Sequence, residues 1–219
     1  MNNTVFIDLT YPIEEGMTTF AAPWHPEVSI RQLGRLNIEG RETREVCLGT
    51  HTGTHADAPR HFIKDRPTID QIPLEKLIGK VTIIDFSNLN EDEAITEKML
   101  AQVQISKKMV FKFGWGEYWG NRKFYKGYPY FTNSAAKYLV SKGIELIGLD
   151  SPSPDDSRNK LTGNSDSPVH KIFLENGIVL VEYLANLDKV EDYKGWNIIV
   201  MPLKIKDGDG APVRVCVYK

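Results

Sequence analysis

Eleven consecutive residues, HTGTHADAPRH from His51 to His61, carry three of the chain's five histidines and one aspartate around a glycine and a proline. On an ideal helix His51 and His55 share a face while Asp57 falls on the opposite side, and no Glu follows the first His as a zincin helix requires. In an extended strand His51, Gly53, His55, Asp57, Pro59 and His61 share one parity and therefore one face. Four strand steps would still separate His51 from His55 by about 13 Å, so the chain must bend between them. Thr52-Gly53-Thr54 is the place for the bend, because glycine accepts turn and bulge dihedrals at little cost. Pro59 then stops the ladder and keeps Ala58 extended. The result is a curved strand and loop aiming four polar side chains one way. Imidazole and carboxylate suit Zn²⁺, Mn²⁺ or Fe²⁺, and no thiol stands nearby to make a structural cysteine site. A catalytic metal centre is favoured over a scatter of surface histidines.

The chain has 219 residues, 41% of them apolar and 26% charged, with a formal net charge of −2. That length accommodates one large domain with a substantial core, and a single domain over 1–219 is expected. The charge balance gives no nucleic-acid footprint, and no apolar run is long enough for a bilayer. The N-terminus has no basic region followed by a long apolar stretch, so a cytoplasmic protein is expected. Cys47 and Cys216 are far apart and in no C-x-x-C pattern, which makes buried free thiols the expectation.

Short apolar runs bounded by turn residues recur, and strands are expected over Val5–Leu9, Val28–Leu33, Thr43–Leu48, Val81–Phe86, Met109–Phe113, Leu146–Leu149, Ile178–Leu184, Ile198–Pro202 and Val213–Tyr218. Helices are fewer: Thr96–Val103, Asn133–Lys142 and Pro168–Glu175. Many strands beside an αβ unit argue for an α+β domain with layered β/β/α architecture and a mixed sheet rather than a regular doubly wound one.

One short loop cannot supply a whole metal site. Ser167 reads as an N-cap and Pro168 as the first helical residue, which puts His170 in the first turn, where the helix dipole should help keep its imidazole neutral. In the following IVLVEYL run, Ile178, Leu180, Glu182 and Leu184 share a face, so Glu182 lies among apolar neighbours and needs a partner such as a cation. His25, between two prolines, is expected to cap a loop or contact substrate. Asp207-Gly208-Asp209-Gly210 reads as a hairpin turn, since no ligating Glu follows at EF-hand spacing. Trp115, Tyr118, Trp119, Phe124 and Tyr125 form either a pocket wall or core, and Asp150 either a functional group or a turn former.

The pattern H-x-G-T-H-x-D-x-P-x-H resembles, at every fixed position, the signature of the metal-dependent cyclase family that includes bacterial kynurenine formamidases and isatin hydrolases. The likeness extends over ITEKML, FKFGW, YPYFTNSAAKYLVSKGIELIGLDSPSPD and the His170/Glu182 pair, nearly the whole chain. It implies the family's β/β/α fold and a mono- or binuclear Zn²⁺ or Mn²⁺ site in a homodimer or homotetramer. It also implies that His51, His55 and Asp57 are ligands, that Asp57 bridges to a second ion held by His170 and Glu182, and that His61 is the general acid/base. A further-ligand role for His61 remains open. The segment after Gly16-Met17, TTFAAPWHP, departs from the family's frequent Pro-Gly-Asp.

A metal-dependent amidohydrolase acting on a small aryl formamide is therefore expected. No G-x-S-x-G elbow supports a serine route. The alternatives are a cyclic-amide or other small-carbonyl hydrolase or cyclase on the same ions, and a non-catalytic metal-binding protein.

Overall fold

The computed structural model describes residues 4–163 and 166–219. Thirteen strands are present among them: β1 (Phe6–Asp8), β2 (Ser29–Gly34), β3 (Thr43–Cys47), β4 (His55–Asp57), β5 (Ile78–Lys80), β6 (Thr82–Asp85), β7 (Ala94–Ile95), β8 (Lys108–Lys112), β9 (Tyr130–Phe131), β10 (Leu146–Leu149), β11 (Val179–Glu182), β12 (Asn197–Pro202) and β13 (Gly210–Tyr218). Three α-helices are single turns, α1 (Leu36–Glu39), α2 (Leu74–Leu77) and α3 (Glu97–Leu100), while α4 (Asn133–Ser141) and α5 (Pro168–Glu175) are longer.

Nine strands form one mixed sheet in the order β5-β12-β13-β4-β11-β10-β8-β6, with β1 on the flank of β13. The β6, β8, β10 and β11 neighbours run parallel, and the β4, β13, β12 and β5 pairings are antiparallel. The sheet is covered on both faces, so its central strands are buried throughout rather than alternating with solvent. Val179 and Val181 enter one apolar cluster with Ile198, Val200, Val215 and Val217. Leu180, between them, enters the other with Phe111, Phe131, Leu139 and Phe173, beneath α4 and α5.

The sheet-rich α+β expectation describes this architecture, and most expected strands lie within a residue or two of those observed. Thr96 proves to be a cap, its hydroxyl accepting from the Met99 amide, so the expected helix from Thr96 to Val103 shortens to α3. Cys47 is exposed and Cys216 half-buried, against the expectation of buried thiols. Cys47 lies on the outward β2–β3 hairpin, and Cys216 alternates with buried Val215 and Val217 on β13, which turns it away from the core.

Candidate metal centre

Three elements bring the site together. In β4, His55 pairs with Glu182 of β11 and Asp57 with Leu180, so His55, Asp57 and Glu182 project from one face of two adjacent buried strands. The bend expected at Thr52-Gly53-Thr54 is present: Gly53 has φ +58°, and the His51 and His55 ring centroids lie 5.1 Å apart. Beyond Asp57 the strand stops as Pro59 requires, but Pro59–His61 forms a 3₁₀ turn rather than further extended chain. His61 therefore returns by this turn, its ring 3.9 Å from that of His51, and strand parity is not what brings it there.

The face expected to hold Ile178, Leu180, Glu182 and Leu184 holds only the first three of them. Tyr183 has φ +58°, a left-handed conformation rare for a bulky residue. This breaks the alternation, so Glu182 and Tyr183 lie on the same side while Leu184 joins the opposite core. The Thr54 hydroxyl donates to the Tyr183 carbonyl (2.7 Å), and the Tyr183 ring packs 5.1 Å from that of His55.

Helix α5 delivers His170, but not as the sequence suggests. Ser167 has φ +48° and makes no capping bond to the helix. Asp155, from the loop after β10, takes that place by accepting from the Val169 and His170 amides at 2.7 and 3.0 Å. A carboxylate there suits the positive end of a helix and outcompetes a hydroxyl. The expected dipole effect on His170 is overridden as well. Burial disfavours its protonated form, yet Glu182 and Asp155 outweigh burial and raise its pKa well above the usual imidazole value.

His51, His55, Asp57, His170 and Glu182 thus converge. Asp57 Oδ1 lies 2.7 Å from His51 Nδ1 and 3.4 Å from His55 Nε2, while its Oδ2 lies 3.6 Å from His170 Nε2. Glu182 places Oε2 3.4 Å from His55 Nε2 and Oε1 3.1 Å from His170 Nε2. In each imidazole one nitrogen faces this common point and the other meets an acceptor outside it: Asp209 Oδ2 for His51 (2.7 Å), the Gly53 carbonyl for His55 (2.8 Å), and Asp155 Oδ2 for His170 (2.6 Å). Outer acceptors of this kind orient metal-binding histidines and raise their basicity.

The electrostatics favour a cation. Burial opposes protonation of His51, but Asp57 and Asp209 outweigh it and raise its pKa to about 10. Burial would raise Asp57, yet the neighbouring His51 and His61 hold it well below the usual carboxylate range. Glu182 is 4% exposed, and its Oε1 has no hydrogen-bond partner of acceptable geometry. An under-partnered buried carboxylate oxygen among imidazoles is the donor chemistry of a divalent ion.

A cavity of about 880 Å³ opens over the cluster, with Phe20, Trp24, Phe62, Tyr125, Tyr128 and Tyr183 among its walls. Of the five aromatics that the sequence left between wall and core, only Tyr125 faces this cavity. Trp115 and Phe124 are buried in the core, and Tyr118 and Trp119 pack against it. His25 also lines the cavity, 6.2 Å from the His51 ring, and burial lowers its pKa to about 4. Asp150 accepts from the Phe113 and Gly114 amides at 2.8 and 2.9 Å, which ties the ends of β8 and β10 together. Burial pushes its pKa up to about 7 despite those bonds.

Asp155 and Asp209 were not picked out from sequence. Asp155 closes the GLDSPSPD segment after β10, a stretch that resembles the family's, but the resemblance gave it no role at the site. Asp209 lies in the β12–β13 connection that reads as a turn. The turn is there, yet one of its carboxylates reaches two histidines, and nothing local in the sequence marks it.

The chain matches the model of the family described as putative cyclase over residues 7–156. A kynurenine formamidase of Bacillus cereus is 30% identical over 221 residues, covering 99% of each chain, and that of Bacillus cytotoxicus is 29% identical with the same coverage. Among solved structures, isatin hydrolase A from Labrenzia aggregata superposes with a TM-score of 0.87 at 25% identity, over 98% of this chain and 93% of the other. A structure described as a potential metal-dependent hydrolase with cyclase activity gives a TM-score of 0.79 at 26% identity, over 99% of this chain and 98% of the other. With a family match over more than half its length, a relative 30% identical along nearly the whole chain and a shared fold, this chain belongs to the putative cyclase family.

Proposed function

We propose that the protein is a metal-dependent amidohydrolase that cleaves a small amide, with an aryl formamide as the first substrate class. The observation that carries the reading is the convergence of His51, His55, Asp57, His170 and Glu182 at the floor of an aromatic-walled cavity, with His61 beside them. The kynurenine formamidase and isatin hydrolase relatives support the same chemistry.

In this reading the five converging residues hold Zn²⁺ or Mn²⁺, one or two ions per subunit. Asp57 would serve both halves of the site, since its two oxygens face different histidines. A bound divalent ion supplies Lewis acidity, polarising a carbonyl and lowering the pKa of water towards neutrality. The chain's own residues do the rest. His61 is half-buried at the edge of the cluster and moves the proton that the leaving nitrogen needs. The Phe20, Tyr125 and Tyr183 rings stack or edge against a planar substrate and exclude water around it. A homodimer or homotetramer is part of the proposal, and the exposed Leu33, Leu36, Ile38 and Val46 of the β2–β3 hairpin support it. Two free cysteines suit a reducing, cytoplasmic setting.

The test is a hydrolysis screen of metal-reconstituted protein over N-formylkynurenine, simple formanilides and isatin, with chelated protein as control. Metal-dependent release of formate is the expected result. Turnover of isatin alone would move the substrate class to cyclic amides, and turnover of none would end the amidohydrolase reading.

A further inference from the structure

Asp209 occupies a position that the proposed chemistry has not yet used. It is the residue before β13, on the connection from β12, and it is half-exposed behind His51 and His61, which line the cavity. Its Oδ2 lies 2.7 Å from His51 Nε2 and also 3.1 Å from His61 Nδ1. One carboxylate oxygen therefore meets both the imidazole that faces Asp57 through its other nitrogen and the imidazole assigned to proton transfer.

The backbone around it is built for this contact. Ala58, at the end of the histidine segment, donates its amide to the Asp209 carbonyl at 2.9 Å, and Gly210 pairs with Asp57 in the β4–β13 ladder. A Cβ on Gly210 would come within 2.7 Å of His51 Cε1 and 2.8 Å of the Ala56 carbonyl oxygen. The Cε1–Nε2 edge of the His51 ring thus lies against a residue with no side chain, directly beside the carboxylate that holds it.

We propose that Asp209 is a positioning residue which couples the two histidines, fixing His51 as a ligand and His61 as a proton carrier through the same oxygen. The inference rests on the amidohydrolase reading for its catalytic half only. Toward His51, an acceptor at Nε2 keeps the proton on that nitrogen and leaves Nδ1 free to face Asp57 and a cation. Toward His61, an acceptor at Nδ1 selects the Nδ1–H form and leaves the Nε2 lone pair as the site that takes up a proton. The imidazolium formed there is stabilised by the carboxylate, as in a histidine–aspartate dyad. Because the two bonds share an oxygen, the His51 ring also acts as a stop that fixes the angle of the His61 ring, 3.9 Å away.

The experiment uses the full chain with ¹⁵N-labelled histidine, as wild type, Asp209→Asn and Asp209→Ala. Long-range ¹H–¹⁵N spectra at a pH where His61 is neutral read its tautomer, and Zn²⁺ affinity is measured by competition with a chromogenic chelator. The expected wild-type spectrum shows His61 as a single Nδ1–H form. Both variants lose that preference and bind Zn²⁺ about 10- to 100-fold more weakly. Once the variants are saturated with Zn²⁺, kcat for a formanilide falls by about 10²-fold or more with KM nearly unchanged. Asp209→Asn keeps the size and shape of the side chain, so circular dichroism and melting that match wild type remove misfolding as a cause. An unchanged His61 tautomer, or unchanged Zn²⁺ affinity, in both variants would overturn the coupling. If wild-type protein hydrolyses no formanilide while the spectra and affinities shift as stated, the positioning role stands and only the substrate reading fails.

Discussion

Two pairs of antiparallel strands lead opposite lives in this molecule. In β4–β11 the residues His55, Asp57 and Glu182 are all less than 5% exposed, whereas every residue of β3 in the β2–β3 hairpin is exposed. Both ladders carry charge, but only the first carries it where water cannot follow. On the hairpin, Arg31 and Glu45 pair at 3.0 Å with both side chains more than half exposed, an arrangement that contributes little. In the buried pair, carboxylates and imidazoles have only one another, and each outer nitrogen has a fixed acceptor. The same secondary structure is a scaffold for chemistry in one place and an outward-facing surface in the other.

The largest expected effect comes from removing charge at the buried pair. Glu182→Gln should lower metal affinity by about 100-fold or more, because it takes away a charged oxygen that has no other good partner. Elemental analysis after dialysis reads the loss. His61→Ala should lower kcat by about 10²- to 10⁴-fold while metal content stays near wild type. A parallel loss of metal would instead make His61 a ligand. Gly210→Ala should weaken metal binding by about tenfold by driving a methyl group into the His51 ring and the Ala56 carbonyl.

The comparison also has a pH signature. His51 is raised from 6.5 to about 10 in the metal-free site, so its ion pairs stabilise the fold fully below pH 6.5 and are lost as pH rises through about 10. Melting of chelated protein should therefore fall across that window. Metal binding, which needs the deprotonated ring, should strengthen across it, narrowing or reversing the fall for loaded protein. Calorimetry with and without metal reads both trends. The smallest effect belongs to the hairpin. Leu36→Asp with Ile38→Asp should leave metal content unchanged and subunit stability within about 0.5 kcal/mol for each substitution. In light scattering the same change should shift the assembly towards monomer, and an unchanged mass would remove the hairpin from the interface.

Much of the buried pair was legible in the sequence. Strand parity placed His55 and Asp57 on one face, the glycine marked the bend, and a lone Glu in IVLVEYL pointed to burial beside a cation. Local patterns failed where position depends on contacts made across the fold. Tyr183 breaks its strand's alternation only because its ring and carbonyl are held by distant residues, including Thr54 and Phe124. Asp155 displaces Ser167 as the cap of α5 from a loop twelve residues earlier in the chain, and Asp209 reaches His51 across 158 positions. The hairpin was legible as two strands, but its isolation from the core was not, because the apolar pattern around Leu33 and Val46 does not tell a strand of the main sheet from one paired outside it.

The central claim is that β4, β11 and α5 meet around one cation-binding centre. Anomalous diffraction from crystals loaded with Mn²⁺ or Zn²⁺ tests it most directly. One or two peaks, each about 2.0–2.3 Å from its ligands and together reached by Asp57 and Glu182 oxygens and by His51, His55 and His170 nitrogens, are the predicted result. Strong density bound elsewhere, with these five side chains still paired only to one another, would contradict it.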